Sequence, residues 1–381
     1  MTEKLYDIDS YLKEFKATVL SCEEENKTFK IILDKTAFFP EAGGQKSDKG
    51  TLDAACVLDV QIENEVITHI TDKPLVAGET VEGKIDFDRR FDFMQQHSGE
   101  HILSGIANRL FGSTNIGFHL SEEIVTLDFD IPLNSEQIEK IELLANKAVF
   151  ANEKIHTYYP DEISLKSLDY RSKGELSGAI RIVEIENTDI CACCAPHVKS
   201  TGEIGLIKIL SFSKLRGGVR LEIKCGLRAL QDFKQKHSEL QKISQKLCVK
   251  PNEAFSAFEK SISEIASLKF KIGSLKRESF SKYIDLTREN TVSVIFEADL
   301  ENKDLQYLAD LLYKAKGGIR AVFCDNQNGY NFAICGDENL GELFNAFKEN
   351  FRVKGGGRNG FVQGSVQANK SDIEKFFNSF V

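Results

Sequence analysis

Met94-Gln95-Gln96-His97-Ser98-Gly99-Glu100-His101-Ile102-Leu103 carries two histidines four residues apart. On a helix that spacing puts both imidazoles on one face, within reach of a single point. About ninety residues later the chain reads Cys193-Cys194-Ala195-Pro196-His197, a Cys and a His at the same spacing. Together, in a chain with only seven histidines, the two halves predict a tetrahedral N/S donor set of His97, His101, Cys193 and His197, the geometry Zn²⁺ prefers. Neither half is specific alone, since a His-x₃-His pair also suits an ordinary surface or core helix. The Cys-x₃-His spacing selects Cys193, although Cys191 and Cys194 lie close enough to compete. Gly99 costs the helix about 1 kcal/mol relative to Ala, which points to a close approach to the backbone there. Glu100 is not the base of a His-Glu-x-x-His metalloprotease helix, because it precedes the second His; it reads as a solvated helix residue.

Outward from this core, residues 1–88 hold short apolar runs: Ala17 to Leu20, Phe29 to Leu33, Val57 to Val60, Val66 to Ile70 and Val81 to Ile85. Turn residues separate them, which predicts a small N-terminal β-barrel. Asp88 is the N-cap candidate for the histidine helix, whose apolar side holds Met94, Leu103, Ile106 and Leu110 and which ends at Gly112. A strand over 123–131, a helix over 135–151, a strand over 179–185 and two more over 206–212 and 219–224 complete an α+β core, residues 89–225. Residues 226–285 read as a helical hairpin broken at Pro251-Asn252. Phe255, Phe258, Ile262, Ile265, Leu268, Ile272 and Leu275 form a coiled-coil-like seam there. Residues 286–381 alternate strand and helix, an α/β pattern.

At 381 residues, 41% hydrophobic and 28% charged, the composition is that of a soluble multidomain protein. No run of about 18 apolar residues or more predicts a membrane span. Nine cysteines, mostly scattered and odd in number, fit reduced thiols in a cytoplasm. The net charge of −9 is unevenly spread: Arg228 to Lys282 hold 12 Lys/Arg against 6 Asp/Glu. A local basic face is what phosphate binding requires, although a solvated Lys-rich helix gives the same count.

Four stretches resemble the editing domain of alanyl-tRNA synthetase and its free-standing AlaX-type relatives. They are Ala37-Phe38-Phe39-Pro40-Glu41-Ala42-Gly43-Gly44-Gln45 with Ser47 to Gly50, the His-x₃-His helix, Cys193 to Gly205, and the tail Lys354-Gly355-Gly356-Gly357-Arg358. In the family the second metal motif usually reads Cys-Gly-Gly-Thr-His, from which Cys194, Ala195 and Pro196 depart. The resemblance implies a long AlaX form: barrel, zinc-containing editing core, hairpin, and a C-terminal domain like the DHH-associated domain. It implies a trans-editing hydrolase with one Zn²⁺ per chain that removes Ser, and Gly as well, from mischarged tRNA(Ala). Size and an added hydroxyl are poorly rejected by a single apolar pocket, worth about 10² in discrimination, so a second hydrolytic site is useful. Gly43, Gly44, Gln45, His119 and Thr201 are the pocket candidates. Each also has a plain reading: a positive-φ turn for the glycines, a turn histidine, a capping threonine. Lys354, Gly355, Gly356, Gly357 and Arg358 are candidates for tRNA contact, and the C-terminal third is expected to form a homodimer. A zinc-structured tRNA-binding module without hydrolytic activity is the alternative. A DHH-type phosphoesterase is disfavoured because the chain lacks the Asp-His-His motif.

Overall fold

The computed structural model describes residues 2–172, 178–337, 340–358 and 360–380. Two compact units divide the chain, Met1–Glu239 and Leu240–Val381.

Alternating burial in the first strands sets their pairing: in β1 (Glu14–Glu25), Phe15, Ala17 and Val19 are buried while their neighbours are not. A period of two means one face packs on a core. Strands β2 (Thr28–Leu33), β3 (Gly50–Leu52), β4 (Ala55–Glu63), β5 (Val66–Thr71) and β6 (Thr80–Ile85) repeat the pattern. They pair antiparallel in the order β1-β2-β5-β4-β3-β6, and β6 pairs back to β1, closing the ring.

This ring corrects the fold expected from the sequence, in which a small barrel stands as a module of its own. Its apolar interior is not made by its own strands alone. Phe38 and Phe39, from the long connection before β3, and Ala195, from the distant cysteine loop, share its core. The segment Ala37–Asp48 is in turn bolted to the histidine helix. The buried guanidinium of Arg90 bonds the Asp48 carboxylate at 3.0 Å through Nε, and also the Ala37 and Ser10 carbonyls. An ion pair whose two side chains are essentially inaccessible would leave an uncompensated buried charge if either half were separated. Barrel and core are therefore parts of one unit.

Helix α1 (Phe87–Phe111) starts two residues earlier than Asp88 suggests: Asp86 caps it by accepting from the Arg89 N–H. Gly112, at φ 64°, ends it. Every residue from Phe93 to Ala107 is buried, so this is a central helix and not an amphipathic one. Two glycines make that possible. A Cβ on Gly99 would lie 2.3 Å from Cys225 Sγ, and one on Gly105 would lie 2.5 Å from the Thr188 carbonyl oxygen. The close approach inferred at Gly99 is thus the strand ending in Cys225. Around α1 lie β7 (Asn115–Leu120), β8 (Val125–Phe129), α2 (Ser135–Ala151), β9 (Ile155–Tyr158), β10 (Ile182–Ile185), β11 (Asp189–Ala192), β12 (Ile207–Leu215) and β13 (Gly218–Cys225). They form a four-stranded sheet, β12-β13-β8-β7, and a three-stranded one, β9-β10-β11.

Helix α3 (Gly226–Lys246) carries the boundary between the units, and α4 (Ala254–Leu286) opens the second. Of α4 only Ala254 and Phe280 are buried. The seam that the sequence predicts stays about half exposed, from Ile265 at 49% to Phe255 at 71%. The rest of the second unit is β14 (Val292–Phe296), α5 (Asn302–Lys316), β15 (Ile319–Asn326), β16 (Gly329–Cys335), α6 (Leu340–Asn350), β17 (Arg352–Arg358), β18 (Phe361–Gln367) and α7 (Lys370–Asn378). The sheet order is β14-β15-β16-β18-β17. Only β14 and β15 run parallel; the other pairs are antiparallel. This also corrects the expected α/β domain: Gln327 and Asn328 alone separate β15 from β16, and so short a link joins only antiparallel strands.

Candidate metal centre

The four residues singled out by spacing converge. The donor atoms of His97, His101, Cys193 and His197 lie within 4.8 Å of one another, on side chains that are buried or nearly so. Cys193 Sγ is 3.5 Å from His97 Nε2 and 3.4 Å from His197 Nε2. A tetrahedral ion bound by one nitrogen and one sulfur holds them roughly 3.5 Å apart. The fully buried Nε2 of His101 has no hydrogen-bond partner, an arrangement that costs free energy unless something fills the gap.

Each imidazole is oriented through its other nitrogen. Gln45 Oε1 lies 2.8 Å from His97 Nδ1, Asp189 Oδ2 lies 3.0 Å from His101 Nδ1, and Ser98 Oγ lies 2.9 Å from His197 Nδ1. Holding Nδ1 fixes the tautomer and aims Nε2 inward, as outer partners of metal-bound histidines do. Arg171 completes a relay, donating to both Asp189 oxygens at 2.7 Å. Burial by itself would raise the Asp189 carboxyl, but these bonds from His101 and Arg171 hold it below its ordinary value. Burial would likewise raise the Cys193 thiol; the charge of His97 and the three imidazoles gathered around the sulfur hold it well below its ordinary value. Burial holds His197 down to about 3. A thiolate beside a neutral imidazole is the protonation state that metal binding demands. His101 departs from it. Burial lowers this group, but the hydrogen bond with Asp189 and the nearness of Cys193 and Glu100 push it up to about 9, so a proton leaves when Nε2 takes a metal.

The competing thiols are placed differently. Cys194 is exposed, and Cys191 is buried in a second possible donor group with His101 and Asp189. Asp189 in that group is already bound to Arg171.

The pocket candidates divide. Gly43 and Gly44 hold φ of 58° and 81°, and a Cβ on Gly44 would meet the Phe118 carbonyl oxygen at 2.4 Å. The turn lies against β7, where the Leu120 N–H donates to the Gly44 carbonyl at 2.9 Å. It delivers Gln45 to His97 and leaves Gln45 Nε2 buried without a partner. His119 does not reach the cluster: it is exposed on β7, while its neighbour Phe118 packs against the His97 ring, the two tilted at 46° with centroids 4.7 Å apart. Strand alternation sends one inward and the other out. Thr201 is fully buried and its hydroxyl is committed, donating to the Ala148 carbonyl at 2.7 Å and accepting from the Glu153 N–H at 2.9 Å. Glu100, read as solvated, is fully buried; its Oε1 accepts from Ser104 and from Asn115, each at 2.6 Å. Lys354 to Arg358 form strand β17, at the sheet edge of the second unit.

The residues missed were Asp189, Arg171, Ser98 and Phe118. The available signals were an acid four residues before Cys193 on an extended segment, and a hydroxyl adjacent to His97.

Comparison with known proteins assigns this geometry to a class. Residues 180–221 match the model described as "Threonyl and Alanyl tRNA synthetase second additional domain", and residues 8–89 match "tRNA synthetases class II (A)". Full-length similarity narrows this further. The chain is 30% identical to the alanyl-tRNA editing protein AlaX-L of Pyrococcus horikoshii over 98% of this chain and 96% of that one. It belongs to the alanyl-tRNA editing protein family. It is 34% identical to the alanyl-tRNA editing protein Aarsd1 of Bos taurus, over 60% of this chain and 56% of that one. It is also 31% identical to the alanine–tRNA ligase of Ignicoccus hospitalis over 80% of this chain. The matched region spans 35% of that ligase's length. Among the described residues, no helix is long and apolar enough to cross a membrane.

Proposed function

We propose that the chain is a trans-editing enzyme, hydrolysing the ester bond of mischarged tRNA(Ala) at a site that holds one Zn²⁺. The observation that carries this reading is the convergence of four N/S donors whose three imidazoles are each locked through Nδ1. It stands in a chain matched almost end to end by an alanyl-tRNA editing protein. His97, His101 and His197 would hold the ion through Nε2 and Cys193 through Sγ. Bound there, zinc supplies a Lewis acid and lowers the pKa of a bound water to about 7. The protein's own part is orientation. Gln45, Asp189 and Ser98 fix the rings, and the Gly43-Gly44 turn carries Gln45 Nε2 to the edge of the cluster as a hydrogen-bond donor without a protein acceptor.

Discrimination against Ser-tRNA needs a contact that reads the hydroxyl. The committed hydroxyl of Thr201 and the outward position of His119 favour neither residue, so Gln45 is the stronger candidate. The homodimer is proposed through the exposed apolar face of α4, a surface that water covers poorly. Light scattering on the full chain tests it.

One observation favours the second reading, a structural zinc in a tRNA-binding module: four protein donors close a tetrahedron, as structural sites do. Deacylation assays with Ser-, Gly- and Ala-tRNA side by side separate the readings. Editing requires release of Ser and Gly with Ala spared; a binding module releases none, and equal rates on all three would remove the editing interpretation.

A further inference from the structure

The turn that carries Cys193 is held from behind by a single side chain. Strands β10 and β11 pair antiparallel, with Ile182 opposite Ala192. One step beyond that pair the register sets Arg181 opposite Cys193, whose N–H donates to the Arg181 carbonyl at 3.0 Å. There the ladder ends and the guanidinium continues it. Arg181 Nη1 donates to the Cys193 carbonyl at 3.1 Å and to the Ala195 carbonyl at 2.9 Å. One nitrogen with two N–H bonds thus gathers carbonyls two residues apart, and the backbone bends around it.

The other side of the same turn meets the donors. The Ala195 N–H turns back to Cys193 Sγ at 3.5 Å, while the sulfur joins the three histidines. Ala195 is fully buried and packs in the barrel core. Pro196, next along, has a fixed φ and offers no N–H. Neither residue is a glycine, so the loop has fewer unfolded shapes to give up when it orders.

A cation buried this deeply is costly, and its neighbours show what it is for. The Arg181 side chain is 4% exposed, and its Nε lies 3.6 Å from Asp7 Oδ1. Tyr159 donates its hydroxyl to the other Asp7 oxygen at 2.9 Å. A separation of 3.6 Å is longer than a hydrogen bond, so Asp7 balances the charge of Arg181 while the loop carbonyls set its aim. Three residues after Asp7, Ser10 Oγ donates to the His197 carbonyl at 3.0 Å. Residues 7–10 therefore reach both ends of the ligand loop, one end through Arg181 and the other directly.

We propose that Arg181 is a positioning residue for the metal, selecting the loop shape in which Cys193 Sγ faces the three imidazoles, with Asp7 as its counter-ion. It acts through the loop backbone, and a metal then tightens a turn whose shape the protein has already chosen. The inference rests on the zinc reading of the donor cluster and does not depend on hydrolysis. Without the guanidinium, the carbonyls of Cys193 and Ala195 lose their donor, the second of them in a buried place. Leaving such groups unpaired is unfavourable, so the loop turns them elsewhere and the sulfur moves with it. Metal–ligand distances tolerate only about 0.2 Å.

The test uses the full chain, with Zn²⁺ affinity read by chelator competition and Co²⁺ read by its thiolate charge-transfer absorption. Arg181→Lys keeps the charge beside Asp7, but its nitrogen ends one bond short of Nη1 and does not reach both carbonyls. Arg181→Met removes charge and donors together. Both should bind zinc about 10- to 100-fold more weakly, the lysine variant at the lower end, with a weaker cobalt band in each. Asp7→Asn keeps both carbonyl bonds, so it should unfold at lower urea than wild type yet lose less than about tenfold in affinity. Should the methionine variant misfold, the lysine variant carries the test. A folded Arg181 variant that binds zinc within about twofold of wild type, its cobalt band unaltered, overturns the proposal. An Asp7→Asn loss as large as that of Arg181→Lys also overturns it, because affinity would then follow stability. Absence of a cobalt band in the unaltered chain would remove the metal site itself, whereas an unchanged band in the variants removes only the role of Arg181.

Discussion

Asp189→Asn tests whether the donor cluster is built as a metal site, because it keeps the side chain's shape and changes one atom. In the native chain Asp189 Oδ2 serves both His101 Nδ1, at 3.0 Å, and Arg171, at 2.7 Å, while Oδ1 takes a second bond from Arg171 at 2.7 Å. An Asn retains one acceptor oxygen, so its NH₂ must face either His101 or a guanidinium N–H. If the oxygen stays with Arg171, His101 loses its orienting partner and zinc affinity should fall 10- to 100-fold, about 1.4–2.8 kcal/mol. If it turns to His101, one Arg171 bond to that oxygen survives and the other is lost. In either orientation the carboxylate's charge is gone and Arg171 is left without its counter-ion. Removing one partner of a buried pair costs about 3–5 kcal/mol; with 14% of the Arg171 side chain still exposed, the lower end applies. Chelator competition at fixed pH reads the first quantity, and urea unfolding of the metal-free protein reads the second. Zinc affinity within twofold of wild type, in a variant whose stability is also unchanged, would refute the assignment of His101 Nε2 as a ligand.

The remaining expectations follow from other parts of the fold. Cys193→Ala should strip zinc while Cys194→Ala keeps it, by metal analysis of the purified proteins; the reverse result would move the ligand. His69 is fully buried in the barrel, its Nε2 2.8 Å from Thr36 Oγ1, and burial holds it down from 6.5 to about 4. Between those values the unfolded chain takes up a proton that the folded one refuses. Stability from this group is therefore full above about pH 6.5, falls as the pH drops, and levels off below about pH 4. The loss is about 3 kcal/mol, and unfolding titrations of wild type and His69→Gln should differ in slope only in that window. A chain ending at Glu239 should fold and keep zinc. One ending near Lys224, the boundary the motifs alone suggest, should be less stable by about 3 kcal/mol, as thermal or urea unfolding will show. It loses both Gln96 bonds to the Cys225 backbone and the Arg228 ion pair with Asp92.

The donor set was legible because ligand spacing is a local property. Four residues on a helix and four along a loop survive into the structure whatever the packing between them. What surrounds the donors was not legible, for the opposite reason. Glu100 reads as solvated because it sits among polar neighbours, and only the burial of α1 on all its faces encloses it. His119 and Phe118 differ by one residue, and strand register decides which reaches His97. Thr201 could be either a hydroxyl donor to substrate or a cap until α2 placed the Ala148 carbonyl beside it. In the second unit, β16, β17 and β18 went unread. Gly-rich β17 lacks the alternation that marks a strand, and its pairing with β18 is a long-range property of the sheet.

The same geometry explains why the barrel is not free-standing. The three groups that hold the imidazoles come from three places: Gln45 from the connection inside the barrel sequence, Ser98 from α1, and Asp189 from β11. An ion bound by His97, His101, Cys193 and His197 would therefore tighten contacts between all three, since each ring is fixed from behind by a different element. Free energy of metal binding to such a site is folding free energy, and here it would be shared by segments up to about 150 residues apart in sequence. Arg90 and Asp48 already join two of those segments without any metal. The metal-free protein should thus keep its barrel docked on α1. The loop from Cys193 to His197 and the β10–β11 hairpin should be what loosens, and amide hydrogen exchange with and without zinc would show protection changing there while the Arg90 environment stays closed.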